Sequence, residues 1–390
     1  MKILFVSCAI YPSRGAVAQV TEPLASNFTK AEMCVVGEQI LFMGRIKHAE
    51  EGPDFHYLRT NLTLKGKGKR FLANLRWIIM LPYLLWSLNK IYKKEQCSYI
   101  IGTFPDNFYL FGAYLVAKWN NAGFSSYFHN TYLENRSGGF RKRWAAWIQP
   151  MIFRYSDNIF VMSEGMKAYY DKKHPDFKDK VVPLPHTFAK YPEYPARDWS
   201  QVKEQYDLVL IGNFTDSNLE ATRRLIQALK GIPKYRIKMF THVPKAFLRL
   251  RGIDLDAIDY RGYIRQEDFF KELMDNDICM LTHGFTGGYS REEYETIFPT
   301  RTIPFLISGI PIFAHSPDFS FLNHFLKKYD CAEIVEVADE EQIRQQMEML
   351  LHNPSRKEQL VRNAQAVAKH YYAPNVATFL KKRIGFDFTE

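Results

Sequence analysis

Three turns in this sequence have the residue types to meet an anion. Gly212-Asn213-Phe214-Thr215-Asp216, Pro12-Ser13-Arg14-Gly15 and Pro299-Thr300-Arg301-Thr302 each lead into a helix-like stretch, the first two straight from a short apolar run. Backbone N–H groups at such a turn can approach a substrate closely, and an arginine adds a planar fork of donors suited to phosphate oxygens. The third turn is the richest. Thr300 or Thr302 can cap a helix running toward Ser308, Gly309 can end it, and Pro311 opens the next apolar run. Free N–H groups, a hydroxyl and the Arg301 guanidinium at one place suit a diphosphate. Gly212 with Asn213, and Gly15 with Arg14, are the corresponding points in the other two turns.

Several other chemistries lack their residues. No G-x-G-x-x-G follows a strand-like run, since Gly66-Lys67-Gly68 sits in a lysine-rich stretch without a third glycine, and no G-x-x-x-x-G-K-[ST] occurs. There is no H-E-x-x-H and no acidic pair at metal-binding spacing, so no metal and no resident cofactor is expected. The five cysteines include no C-x-x-C pair and fit a reducing cytosol better than a disulfide framework.

The elements that must position these turns repeat in two series. Apolar runs at 3–7, 34–37, 99–102, 125–129, 158–162 and 181–184 alternate with helical patterns such as 106–119 and 164–172. A second series has runs at 208–211, 237–241, 278–282, 311–314 and 332–335, with helical patterns at 218–229, 267–274 and 340–351. Short apolar strands between helices imply parallel sheets covered on both faces. A length of 390 residues exceeds what one core organises, so the expectation is α/β with two Rossmann-like, doubly wound domains facing a central cleft. The first spans 1–186, a proline-marked linker 187–205, the second domain 206–366, and a helical tail 367–390 could cross back to the first. Ligands of such sheets gather beyond the carboxyl ends of the strands.

Charge is divided unevenly. Residues 1–200 hold 27 Lys+Arg against 16 Asp+Glu, whereas residues 201–390 hold 25 against 26. The excess concentrates at 65–94, with eight basic residues, Lys67, Lys69 and Arg70 among them, and no acidic one. Trp77, Tyr83 and Trp86 are interleaved there among Ile and Leu, and residues 140–147 repeat the basic-aromatic theme. A helix of this kind lays its aromatic side chains among acyl chains while lysines meet anionic headgroups, so an anionic membrane surface is the expected partner and nucleic acid is not. The longest apolar stretch, 77–88, contains Pro82 and is too short to span a bilayer. No secretory leader is expected at the N-terminus, whose apolar run breaks at Pro12 and Arg14.

Together, the two-domain pattern, the Pro299-Thr300-Arg301 then Gly309-Ile310-Pro311 spacing, the Ser163-Glu164-Gly165-Met166 helix start and Val182-Pro183-Leu184-Pro185 resemble GT-B glycosyltransferases of the family 4 type, over nearly the whole chain. The resemblance implies a C-terminal domain that holds a nucleotide-sugar donor and an N-terminal domain that receives a lipid-linked or saccharide acceptor at the cytoplasmic membrane face. It implies that His129 borders the transferred sugar, that Thr300 and Arg301 lie near the phosphates, and that Gly262, Tyr263 and Ile264 frame the nucleobase. The family's two donor-loop glutamates fall at Thr296 and Pro304 here, which leaves neighbouring Glu295 as a second sugar contact. For an inverting route, Glu134 or His129 is the candidate base. Two alternatives stay open on the sequence: a nucleotide-sugar 2-epimerase of the same architecture, and a non-catalytic basic nucleic-acid-binding protein.

Overall fold

The computed structural model describes residues 1–13, 16–39, 52–60, 69–134, 140–195, 197–264, 268–287 and 290–386. Arg14, Gly15 and Lys67 lie outside these residues, and for Lys69, Arg70 and Trp77 the helical backbone alone is described. The chain divides into two compact units, Met1–Ala189 with Tyr372–Glu390, and Lys190–Tyr371.

The first unit alternates strand and helix along the chain: β1 (Ile3–Val6), α1 (Ala16–Ala25), β2 (Met33–Glu38), β3 (Asp54–Leu58), α2 (Lys69–Lys94), β4 (Tyr99–Phe104), α3 (Asn107–Asn120), β5 (Gly123–Phe128), α4 (Phe140–Tyr155), β6 (Asn158–Val161), α5 (Glu164–Lys173) and β7 (Val181–Pro183). The sheet order is β3-β2-β1-β4-β5-β6-β7, and the register of each neighbouring pair is parallel. Every residue of β1, β4 and β6 is buried, which is why these strands read as unbroken apolar runs. Local signals place the helices between them. Asp106 caps α3 by accepting from the N–H groups of Phe108 and Tyr109, and Ser163 caps α5 by accepting from Met166 N–H at 3.1 Å. Gly112 on α3 lets Leu84 of α2 close in, since a Cβ there would lie 2.7 Å from Leu84 Cδ2.

The second unit holds β8 (Tyr206–Ile211), α6 (Leu219–Leu229), β9 (Tyr235–Phe240), β10 (Asp259–Gly262), β11 (Ile278–Thr282), β12 (Ile312–His315) and β13 (Glu333–Val335). Its sheet order is β10-β9-β8-β11-β12-β13, again parallel. Leu208, Leu210, Met239, Met280 and Phe313 from the strands pack with Leu225 and Ile226 of α6 in one core. The sheet order reverses at β8/β11, as it does at β1/β4 in the first unit, and a reversal leaves a crevice beyond the strand ends.

Two strands were not foreseen, β3 and β10, both at sheet edges, where polar residues break the apolar run. The stretch expected as a linker from 187 is shared out. Residues up to Ala189 belong to the first unit and those from Lys190 to the second, where Arg197 donates to the carbonyls of Met274 and Asn276. The tail leaves the second unit at Tyr371. Its last helix, Ala373–Arg383, puts Val376, Ala377 and Leu380 into the core of the first unit and ties Lys381 to Glu32 at 2.6 Å.

Candidate functional site

In the second unit the candidate donor residues assemble at the reversal of the sheet. Gly212 follows the last residue of β8 with φ +137°, a conformation that side chains disfavour. That freedom is used by a neighbour: a Cβ on Gly212 would stand 2.7 Å from Arg301 Nη1. On the adjoining strand, Thr282 ends β11, and its carbonyl accepts from Arg301 Nη2 at 2.7 Å. The guanidinium therefore lies across the carboxyl ends of β8 and β11. Its Nε is buried with no hydrogen-bond partner among the described residues. Burial lowers its pKa to about 10, which leaves the cation charged at neutral pH and short of counter-charge.

The surrounding side chains are largely committed to one another. Thr282 Oγ1 pairs with Thr222 Oγ1 of α6 at 2.7 Å. His283 Nε2 lies 3.0 Å from the Tyr294 carbonyl, and Tyr294 donates to the Asp216 carbonyl at 3.1 Å, tying the loop after β8 to the helix Arg291–Thr296. At the end of β12, His315 Nε2 sits 3.0 Å from Arg224 Nη1, and Nη2 of the same arginine pairs with Glu220. His283, Tyr294, Arg224 and His315 were not foreseen. The signal available was that two of them follow or end apolar runs next to Thr282.

Other expected site residues lie differently. Neither Thr300 nor Thr302 caps the helix Thr302–Ile307. Arg301 occupies the cap position in helical φ/ψ, not the extended backbone from which a side chain caps, and no side-chain hydrogen bond caps this helix. Thr300 is exposed, whereas Thr302 Oγ1 is buried without a partner among the described residues. Gly309, at φ +71°, follows the helix as expected. Glu295 is 41% exposed and held by Arg291 at 2.8 Å, while Glu293 is the buried glutamate of the three in that helix. Asn213 is exposed. Gly262 closes the edge strand β10, with Tyr263 exposed after it, two strands from β8 and so about 10 Å away in the sheet direction.

In the first unit His129 follows β5 and is buried, its Nδ1 3.0 Å from Nε2 of His186, a residue not singled out from the sequence. Five residues on, Glu134 is paired with Lys173 at the end of α5. Among the described residues no cluster of His, Cys, Asp and Glu is placed to hold a metal ion.

No family model matches the sequence and no curated protein matches it at sequence level. Solved structures match nearly end to end. Sucrose-phosphate synthase from Thermosynechococcus elongatus aligns with TM-score 0.72 at 14% identity, over 98% of this chain and 97% of that one. The fold is GT-B. Anabaena HepE, in complex with UDP and glucose, aligns with TM-score 0.68 at 11% identity over 98% of both chains. A Listeria monocytogenes protein described as a UDP-N-acetylglucosamine 2-epimerase aligns with TM-score 0.57 at 13% identity, over 97% of this chain and 94% of that one. At these identities the likeness establishes the GT-B fold alone, so the chemistry must be argued from the residues.

The buried histidines of this GT-B chain make a prediction of their own. Burial pushes His186, His283 and His315 down to about 4 from an ordinary 6.5, and His129 well below it. Between those values the unfolded chain binds protons that the folded chain refuses, so stability is complete above pH 6.5 and falls as pH drops toward 4. Each such histidine contributes about 1.4 kcal/mol per pH unit in that window. Urea midpoints measured at pH 7 and pH 5 should differ clearly, with the lower at pH 5. Equal midpoints would show that these rings are not buried neutral.

Proposed function

We propose that the chain is a glycosyltransferase that moves a sugar from a nucleotide-sugar donor to a lipid-linked or saccharide acceptor at the cytoplasmic membrane face, as a peripheral protein. The observation that carries the reading is the Arg301 cation, with its unpartnered buried Nε, at the strand ends where the sheet order reverses. Glycosyl transfer requires that the charge appearing on the departing diphosphate be met as the anomeric bond breaks. A fixed guanidinium in a poorly solvated site does this without reorganising. His129 is assigned to orienting the transferred sugar, and Glu134 remains the candidate base of an inverting route. Glu295, paired with Arg291, remains the candidate for a second sugar contact.

The reading gives the leaving charge to Arg301 and not to a divalent cation. A panel of nucleotide-sugars screened by thermal shift should find one that raises the melting temperature by mass action. Turnover of that donor should survive a chelator. Turnover abolished by chelator and restored by Mg²⁺ would overturn the metal-independent part. A donor epimerised without any acceptor would favour the 2-epimerase, which the Listeria likeness keeps in view.

The membrane part of the proposal is supported by the outer surface of α2 and α4. Trp86 is 59% exposed with Lys90 Nζ 4.9 Å from its ring, Ile79 and Tyr83 are exposed on the same helix, and Trp147 of α4 is 57% exposed. Among the described residues no helix is long and apolar enough to cross a membrane. Trp86→Ser/Lys90→Ser should reduce sedimentation with phosphatidylserine-containing vesicles by about tenfold. Equal sedimentation of variant and wild type would remove this surface from the proposal.

A further inference from the structure

Beyond the carboxyl ends of β5 and β7 two imidazoles form a closed pair. His129 Nδ1 lies 3.0 Å from His186 Nε2, and each residue is only 4% exposed. The outward nitrogens, His129 Nε2 and His186 Nδ1, are buried with no hydrogen-bond partner among the described residues. Neighbouring groups do not compete for them. The Tyr127 ring packs 4.2 Å from the His129 ring, but its hydroxyl donates to the Leu184 carbonyl, and the Thr187 hydroxyl is directed at the Val20 carbonyl.

A neutral imidazole carries one N–H and one lone pair. The Nδ1-to-Nε2 contact needs one of each, which links the two rings. If His129 donates from Nδ1, then His186 accepts at Nε2 and must carry its proton on Nδ1. If His186 donates from Nε2, then His129 must carry its proton on Nε2. Both rings therefore hold the same tautomer, both δ or both ε, and mixed states would bring two lone pairs or two N–H groups together. Because burial opposes the imidazolium form of either ring, protonation offers no escape from this rule.

We infer that His186 is a positioning residue: through this contact it couples the tautomer of His129 to its own, so that His129 Nε2 meets a sugar hydroxyl as an acceptor when His186 Nδ1 carries its proton and as a donor when it does not. The inference deepens the glycosyltransferase reading and rests on it for the identity of the hydroxyl. The coupling of the two rings does not depend on that reading. His186 itself touches no reacting atom in this assignment.

The test uses the full chain with ¹⁵N in the histidine rings. Two-bond ¹H–¹⁵N correlation spectra at pH 7 distinguish δ, ε and averaged imidazoles, and His129→Gln and His186→Gln assign the two signals. The expected wild-type result is the same tautomer balance in both rings. In His186→Leu the His129 signal should move to an average of both forms. His186→Gln, whose amide can again pair with His129 Nδ1, should move the signal back toward its wild-type position. Opposite tautomers in the wild type, or a His129 signal indifferent to His186→Leu in a variant with unchanged methyl spectrum, overturns the inference. With a donor in hand, kcat of His186→Leu should fall about tenfold with KM unchanged, the scale of losing an imidazole's orienting partner, and His186→Gln should recover most of it. A kcat unaffected by His186→Leu overturns the positioning role. No turnover of any nucleotide-sugar by the wild type overturns the transferase reading, and the ring spectra still decide the coupling.

Discussion

Arg301→Ala should lower donor turnover by about a hundredfold, the effect of removing one fixed stabiliser of a developing anion. The expected pattern is a fall in kcat and in kcat/KM together, because the guanidinium's contribution grows as charge moves onto the leaving diphosphate. Stability gives an independent check on the same variant. Among the described residues the side chain makes one hydrogen bond, from Nη2 to the Thr282 carbonyl, and leaves Nε buried and unsatisfied. A cation desolvated to this degree for so little return adds little to folding, so the melting temperature should hold or rise. A structural arginine would behave in the opposite way, with stability lost and rate retained, and that outcome would remove Arg301 from the chemistry. Arg301→Lys separates charge from shape. It keeps a point charge but loses the fork that reaches Thr282 and Gly212 at once, so it should recover only part of the rate.

How far the sequence reveals this arrangement depends on the kind of signal each part leaves. Buried central strands are apolar on both faces, and runs such as Ile3–Val6 and Ile278–Thr282 are legible without any tertiary knowledge. Edge strands lack that signature. Asp54–Leu58 and Asp259–Gly262 carry charged and half-exposed residues, and only pairing with a neighbour makes them strands. Helix starts with a strong polar cap, Asp106 and Ser163, are local and therefore visible.

The turn at Thr300 shows where local logic fails. A threonine before an apolar run has the residue type of a cap, but whether it caps depends on which residue takes the cap position and in what backbone geometry, and here that residue is Arg301 in helical φ/ψ. Likewise His129 can be picked out at a strand end, whereas its partner His186 lies 57 positions away in sequence and meets it only because the sheet order brings β5 and β7 to the same region. Glu293 and Glu295 differ by two positions, too few for composition to say which faces inward. Helical period decides it: Glu293, Tyr294 and Thr296 are buried and Glu295 is left at the surface with Arg291.

The same geometry makes Gly212 the second position of large effect. Gly212→Ala forces a side chain onto a residue at φ +137° and sets its Cβ 2.7 Å from Arg301 Nη1. The backbone strain alone is worth about 1–3 kcal/mol of stability. The collision has a separate consequence, because the guanidinium must shift away from Gly212 and so from its alignment with the Thr282 carbonyl. Turnover should therefore drop nearly as far as in Arg301→Ala, from a substitution that removes no chemical group. The double variant tells the two contributions apart. With no guanidinium to displace, Gly212→Ala on the Arg301→Ala background should cost stability and almost no further rate, a strongly sub-multiplicative result. If the two losses of rate multiply, Gly212 serves the donor on its own account, through its backbone, and Arg301 is not the group its absent side chain makes room for.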